Sequence, residues 1–254
     1  MLPHHTDSDP FPSIPPSDRL VGCRKKWGRL PTMAPPHTVV FCYEKKALQD
    51  FLSLKPYQVC DGCFPNLYFL KESPGVAVGY FGIGAPVIAS KTEELIAWGV
   101  EKFISVGTAG SLQAKIQPGD LVICDRAVRD ETTSKQFIPF AKYIHAPRRM
   151  NNKLQAALKK MERNFHIGSS WTTDSFYKQS PEEISLYQTE GVLTVDREAA
   201  ALFAVSHFYQ VDLGVLFTIS DFHENALWQA KGEDPLTKKN LHEALALSLL
   251  IAQE

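Results

Sequence analysis

The chain has 254 residues and nearly balanced charge, 27 Lys and Arg against 28 Asp and Glu, for a formal net charge of -1. That balance argues against the broad basic face that nucleic acid or anionic lipid would need, and the apolar runs fall short of the ~20 residues of a membrane span. The length suits one large α/β domain with a substantial core.

Residues 1–36 are proline-rich and carry the basic cluster "RKKWGR" without sustained periodicity, so they are expected to form an extended arm ahead of a catalytic domain at 37–254. From "HTVVFCY" onward, short β-branched runs alternate with helical ones, the pattern of an α/β fold around a mainly parallel or mixed sheet. In chain order the strands are predicted at 38–43, 66–72, 76–82, 102–107, 121–130, 166–173, 192–196 and 213–220. Helices are predicted at 45–53, 86–98, 150–163, 181–190, 197–209 and 236–252. Pro86 suits a first helical position and Gly99 a C-terminal stop. In "FISVGTAG" the apolar strand is expected to give way at Gly107 to a small-residue turn whose amides and hydroxyl face a ligand.

The five cysteines, at 23, 42, 60, 63 and 124, are odd in number, and the first residues lack the pattern of a secretory signal; reduced thiols and a cytoplasmic location are expected. "CDGC" at 60–63 has no second pair at ligand spacing, so a turn with two buried thiols is preferred to a metal or redox site. The glycines of "GYFGIGAP" depart from the G-x-G-x-x-G dinucleotide fingerprint. They read instead as places where the backbone approaches a ligand or a neighbouring strand.

Five motifs then occur in one order: "GIGAP", "VGTAGSLQ…PGDLVI…AVRDETTS", "TTDSFY", "DREAAALFA" and "TISD". In this the chain resembles the nucleoside phosphorylase/uridine phosphorylase superfamily over roughly residues 37–250. The resemblance implies a single-domain three-layer α/β sandwich with a central mixed, partly barrel-like sheet. It also implies cleavage of the bond between a nucleobase and ribose, with inorganic phosphate as co-substrate, no other cofactor and no metal. Homo-oligomers, dimers or hexamers, are implied too, in which His37 or the basic arm would act on a neighbour's site.

Residue roles follow from the motifs. Asp221 matches the acid that protonates the leaving base, with Ser220 orienting it; such an acid needs a raised pKa, and burial behind "VLFTI" is the expected cause. Glu198 matches the glutamate that accepts hydrogen bonds from the ribose hydroxyls. Asp196 stands where relatives have another acid, and Arg197 replaces a methionine that packs under the sugar. Phe176 matches the aromatic that stacks on the base, with Tyr177 beside it. The following "YKQSPEE" lacks the arginine by which pyrimidine-specific relatives read uracil, which favours a purine over uridine.

The phosphate elements are uneven. Gly107 and Thr108 are kept from the anion turn, but Ser105 stands in place of an arginine. In the loop after the first strand, Cys42 replaces a glycine and Lys46 an arginine. A lost guanidinium fork weakens phosphate binding. The expected reaction is phosphorolysis of a ribonucleoside; the alternatives are hydrolysis, with Glu44 beside the water, and nucleoside binding without turnover. The segment 223–240 is expected to form a lid, with Trp228 over the base.

Overall fold

The computed structural model describes residues 30–139, 141–224, 227–230 and 234–253, so most of the proline-rich arm lies outside the described residues. The strands are β1 (Thr38–Cys42), β2 (Tyr57–Val59), β3 (Leu67–Leu70), β4 (Val76–Gly79), β5 (Lys102–Ser111), β6 (Leu121–Asp130), β7 (Tyr143–His145), β8 (His166–Thr173), β9 (Thr194–Asp196), β10 (Asp212–Glu224) and β11 (Leu227–Ala230). The helices are α1 (Lys45–Ser53), α2 (Ala85–Trp98), α3 (Arg148–Lys160), α4 (Pro181–Thr189), α5 (Ala199–Tyr209) and α6 (Pro235–Ala252).

All eleven strands join one mixed sheet in the order β11-β10-β6-β8-β9-β5-β1-β4-β3-β2, with β7 on β6 and a further pairing of β10 with β5. That extra pairing closes β5, β10, β6, β8 and β9 into a ring, while β1, β4, β3 and β2 extend from it as an open arm. Successive residues of β1 alternate between two cores. Val39 and Phe41 pack with Ile88 and Leu95 of α2 and Leu202 and Phe203 of α5. Val40 and Cys42 pack with Leu48 and Phe51 of α1, Met150 and Leu154 of α3, and Leu241 and Leu245 of α6. The sheet is thus covered on both faces, which is why its strands read as nearly unbroken apolar runs and why the layers are α/β/α.

The predicted α1 coincides with the observed helix, and β6 and β8 coincide with the predicted strands. Gly99 ends α2 in the left-handed conformation, at φ 119°, as expected of a C-terminal glycine. Pro86 is the second helical residue, because α2 starts at Ala85. "CDGC" forms a turn with Gly62 at φ 69° and both thiols buried.

Three differences bear on function. First, β5 does not turn at Gly107. It runs on to Ser111, held by parallel pairing of Gly107, Thr108 and Ala109 with Phe217, Thr218 and Ile219 of β10. Second, pairing of β5 with β1 stops at Val106 and pairing with β9 starts at Gly110. Among the described residues, no strand covers that edge of β5 between them. Third, the expected lid is in part β11, antiparallel to β10, and in part the first turn of α6; residues 225–226 and 231–233 lie outside the described residues.

Candidate active site

A cavity of about 580 Å³ opens at the uncovered edge of β5, a size ordinary for a small-molecule site. Gly107, Thr108, Ala109 and Gly110 line it from β5, Ser220 and Asp221 from β10, Asp196, Arg197 and Glu198 from the end of β9 and the link to α5, and Phe176 and Tyr177 from the loop after β8. Residues from four separate stretches therefore meet in one place. Lys46 does not join them: its ammonium pairs with Asp50 at 2.6 Å on the exposed face of α1. The phosphate contact expected of Lys46 is not met by this placement, in which the (i, i+4) spacing of the helix supplies Asp50 as its partner. His37, expected to act on a neighbour's site rather than on its own, contacts Thr38 at 2.8 Å and does not line this cavity.

The parallel ladder between β5 and β10 shifts register between Ile219 and Asp221. Such a bulge inserts one unpaired residue and re-aims the side chains beside it. Here the inserted residue is Ser220, whose hydroxyl reaches Asp221 Oδ1 at 2.5 Å. The other carboxyl oxygen, Oδ2, accepts the indole N–H of Trp228 at 2.6 Å. Gly110 makes room for this carboxyl, since a Cβ there would lie 2.9 Å from Oδ2. The burial expected for Asp221 is not found; the residue is only partly buried, at the cavity wall.

Of the carboxyls that line the cavity, Asp196 and Glu198 are the buried ones. Asp196 Oδ2 accepts the backbone N–H groups of Glu198 and Ala199 at 2.8 and 2.7 Å, and Oδ1 accepts the hydroxyls of Ser170 and Thr172, both at 2.8 Å. It thereby satisfies the first amides of α5, whose N-cap is Glu198 and which starts at Ala199 rather than at the predicted 197 and is buried along most of its length. Burial pushes the Asp196 carboxyl above its usual range. Glu198 is 7% exposed, and its Oε1 accepts the amide N–H of Gly84 at 2.6 Å. Gly84 adopts φ 106°, a conformation that favours glycine, immediately before α2. Burial first, and then the neighbouring Asp196, push the Glu198 carboxyl up to about 8. It is held poised near neutrality beside the cavity.

Arg197 lines the cavity and donates through Nη2 to the carbonyl of Asp174 at 3.3 Å, while its Nε is buried without a partner among the described residues. Phe176 is 43% exposed and meets the rings of Tyr177 and Trp228 edge to face, at 5.0 and 5.9 Å. Tyr177 is 93% exposed and stands at the rim.

Sequence reasoning missed Tyr43. This residue is buried, its ring packs where a Cβ on Gly107 would meet Cδ2 at 2.8 Å, and its hydroxyl lies 3.1 Å from Ser105 Oγ. Ser105, at the position where a cation would be useful, is therefore engaged by a phenol. Burial and the nearby Glu198 push the Tyr43 phenol well above its ordinary value. The signal was available, for Val39, Phe41 and Tyr43 share one face of a period-two strand and the last of them overhangs its end.

The acid–base groups, the uncovered strand edge and the ring-closed sheet together define an α/β enzyme-type cleft. The family model described as "Phosphorylase superfamily" matches residues 64–250, and the chain belongs to that superfamily. A DeoD-type purine nucleoside phosphorylase of Caldanaerobacter subterraneus subsp. tengcongensis is 37% identical over 150 residues, 58% of this chain and 64% of that protein. A guanosine phosphorylase of Halorubrum lacusprofundi is 32% identical, over 54% of this chain and 57% of its own length. The aligned stretch thus spans less than two thirds of these curated relatives. The crystal structure of a uridine phosphorylase from Vibrio fischeri ES114 superposes with a TM-score of 0.70 at 23% identity, covering 86% of this chain and 92% of that one; this likeness is one of fold. Among the described residues no helix is long and apolar enough to cross a membrane.

Proposed function

We propose that this chain cleaves the N-glycosidic bond of a ribonucleoside and passes the ribosyl group to phosphate, with a purine preferred to uridine. The observation that carries the reading is the meeting of Asp221 and Glu198 in one cavity that Phe176 also lines. As the bond breaks, negative charge grows on the base and positive charge on the sugar. Asp221 is assigned the proton for the base and Glu198 the ribose hydroxyls, where a carboxylate also steadies the cationic sugar. Phe176, with Tyr177 at the rim, is assigned to the base, and Arg197 to the sugar and the incoming anion. Gly107 and Thr108 offer the acceptor their backbone and hydroxyl. The names of the purine and guanosine phosphorylases among the relatives support a purine, although a uridine phosphorylase of Thermococcus kodakarensis is also 32% identical over 57% of each chain.

One observation favours a second reading, hydrolysis. Four carboxyl groups, Glu44, Asp196, Glu198 and Asp221, line the cavity against one guanidinium, Arg197, so the lining stays rich in acids even with Glu198 protonated. An anion enters such a field less readily than water does. A second copy placed against the open rim would be one source of further cations. The test is product analysis with inosine, guanosine, adenosine and uridine, with and without phosphate. Ribose 1-phosphate formed only with phosphate is expected; base release at the same rate without it would establish hydrolysis instead, and no release from any nucleoside would reject both.

Gly110→Ala probes the acid's placement from a distance. The added methyl would press on Asp221 Oδ2 at 2.9 Å and on Val195 Cγ1 at 3.0 Å. The expected result is a fall in base release of about ten- to a hundredfold, with the far-ultraviolet circular dichroism of the parent.

A further inference from the structure

We propose that Trp228 is an internal occupant of the base subsite: its indole takes the two contacts a base would take, and the base that displaces it is a fused bicycle carrying a ring N–H. The inference rests on the assignment of Asp221 and Phe176 to the base made above.

Those two residues are the ones the indole engages. Its N–H is donated to Asp221 Oδ2 at 2.6 Å, and its ring meets Phe176 edge to face at 5.9 Å and an interplanar angle of 84°. With Ser220 on Oδ1 at 2.5 Å, both oxygens of the carboxyl already face a donor. A carboxyl that is to hand its proton to a base must aim that O–H at the base, so the indole has to leave Oδ2 first.

Little else holds the indole there. Trp228 is 51% exposed and belongs to none of the buried core clusters. Its strand, β11, is four residues long and ends the order of the sheet, pairing among the described residues with β10 alone, in a register that sets Trp228 opposite His223 and Ala230 opposite Asp221. A short edge strand is among the cheaper parts of a sheet to displace.

The chemistry of the occupant indicates what replaces it. Indole is a five-membered ring fused to a six-membered one, with its single N–H in the smaller ring. The imidazole side of a free purine base, the product once a ring nitrogen has taken the acid's proton, offers the same outline and the same donor; a pyrimidine has one ring and cannot reach acid and aromatic in the same way. Trp228 therefore lowers the affinity for every base by leaving the open, binding-competent state less populated, and only a ligand that reproduces both contacts recovers the loss.

The test uses the full chain and two variants, Trp228→Phe, which keeps the ring and removes the N–H, and Trp228→Ala, which removes both. Hypoxanthine and uracil are titrated by calorimetry, and tryptophan emission is followed in parallel. Hypoxanthine is expected to bind Trp228→Phe about tenfold more tightly than the parent, Trp228→Ala at least as tightly, and to change an emission component that Trp228→Phe lacks. Unchanged or weaker binding in both variants would mean that Trp228 covers the base rather than competes with it, and would overturn the proposal. Equal competition by uracil would overturn the bicyclic specificity. These outcomes leave nucleoside cleavage by the parent intact, whereas absence of binding and of cleavage in all three proteins would reject the nucleoside reading and the inference together.

Discussion

Asp221→Asn is expected to slow base release by about 10²- to 10⁴-fold, the range in which a positioned general acid contributes, while the Michaelis constant changes little. The asparagine keeps the shape of the side chain and an oxygen for the Ser220 hydroxyl, now 2.5 Å from Oδ1, but has no proton to give. Since the role is confined to the transition state, the loss should fall on kcat and on kcat/KM alike. Steady-state kinetics with inosine decide the matter. A variant with the parent's kcat would remove Asp221 from the chemistry, and one altered only in KM would make it a binding residue. Substrates whose base is an intrinsically good leaving group should lose less, because they need the proton less.

The second large effect is expected at Glu198. Gln at this position keeps an oxygen for the Gly84 N–H and loses the charge, and base release should fall by about 10²- to 10³-fold, the cost of removing one preorganised charge-stabilising group. The pH dependence sharpens the test. With its carboxyl pushed up to about 8 by burial and by Asp196, opposed by the Gly84 amide and Arg197, Glu198 is largely protonated at neutral pH in the empty site. If the carboxylate is the working form, kcat/KM rises as pH climbs through about 8 and then levels, and Glu198→Gln loses that limb. Stability moves the other way. The folded chain retains this proton up to about 8, whereas the unfolded chain releases it near 4.5. The contribution of Glu198 to stability is therefore fully present below pH 4.5 and declines until pH 8. The decline amounts to no more than about 5 kcal/mol. Thermal melts between pH 5 and 9 should show the parent losing stability relative to Glu198→Gln; parallel curves would mean that the carboxyl is not perturbed.

The motifs brought Asp221, Glu198, Phe176 and Thr108 to attention because each follows a strand that the sequence predicts; in the fold Thr108 and Asp221 lie within β5 and β10, and Glu198 and Phe176 come after β9 and β8. β6 and β8 were legible although neither is apolar throughout: β6 opens on the apolar run Leu121–Cys124, β8 is rich in small and β-branched residues, and both are buried for most of their length. The strands that escaped, β2, β7 and β11, are three or four residues long, and β2 is exposed throughout. No periodicity can develop over so few residues. The small residues from Gly107 to Gly110 read as a turn by composition, yet pairing with β10 overrides local preference and keeps them extended. Which of the acids is buried was not legible either. Asp221 follows an apolar run and Glu198 an exposed-looking Asp-Arg pair, but ring closure of the sheet hides the second and leaves the first at a wall. The error over Lys46 was avoidable, for Asp50 stands four residues on in the same helix.

The central strand of the ring has one more implication. Tyr43 follows β1, Glu198 follows β9 and Asp221 lies on β10, and each of those three strands is registered directly on β5. The spacing of phenol and two acids is thus gauged by a single rigid ruler instead of by three independent loops. Heat or denaturant should spare that spacing until the barrel itself gives way, so that the indole of Trp228, on the outermost strand, is displaced before the three groups part.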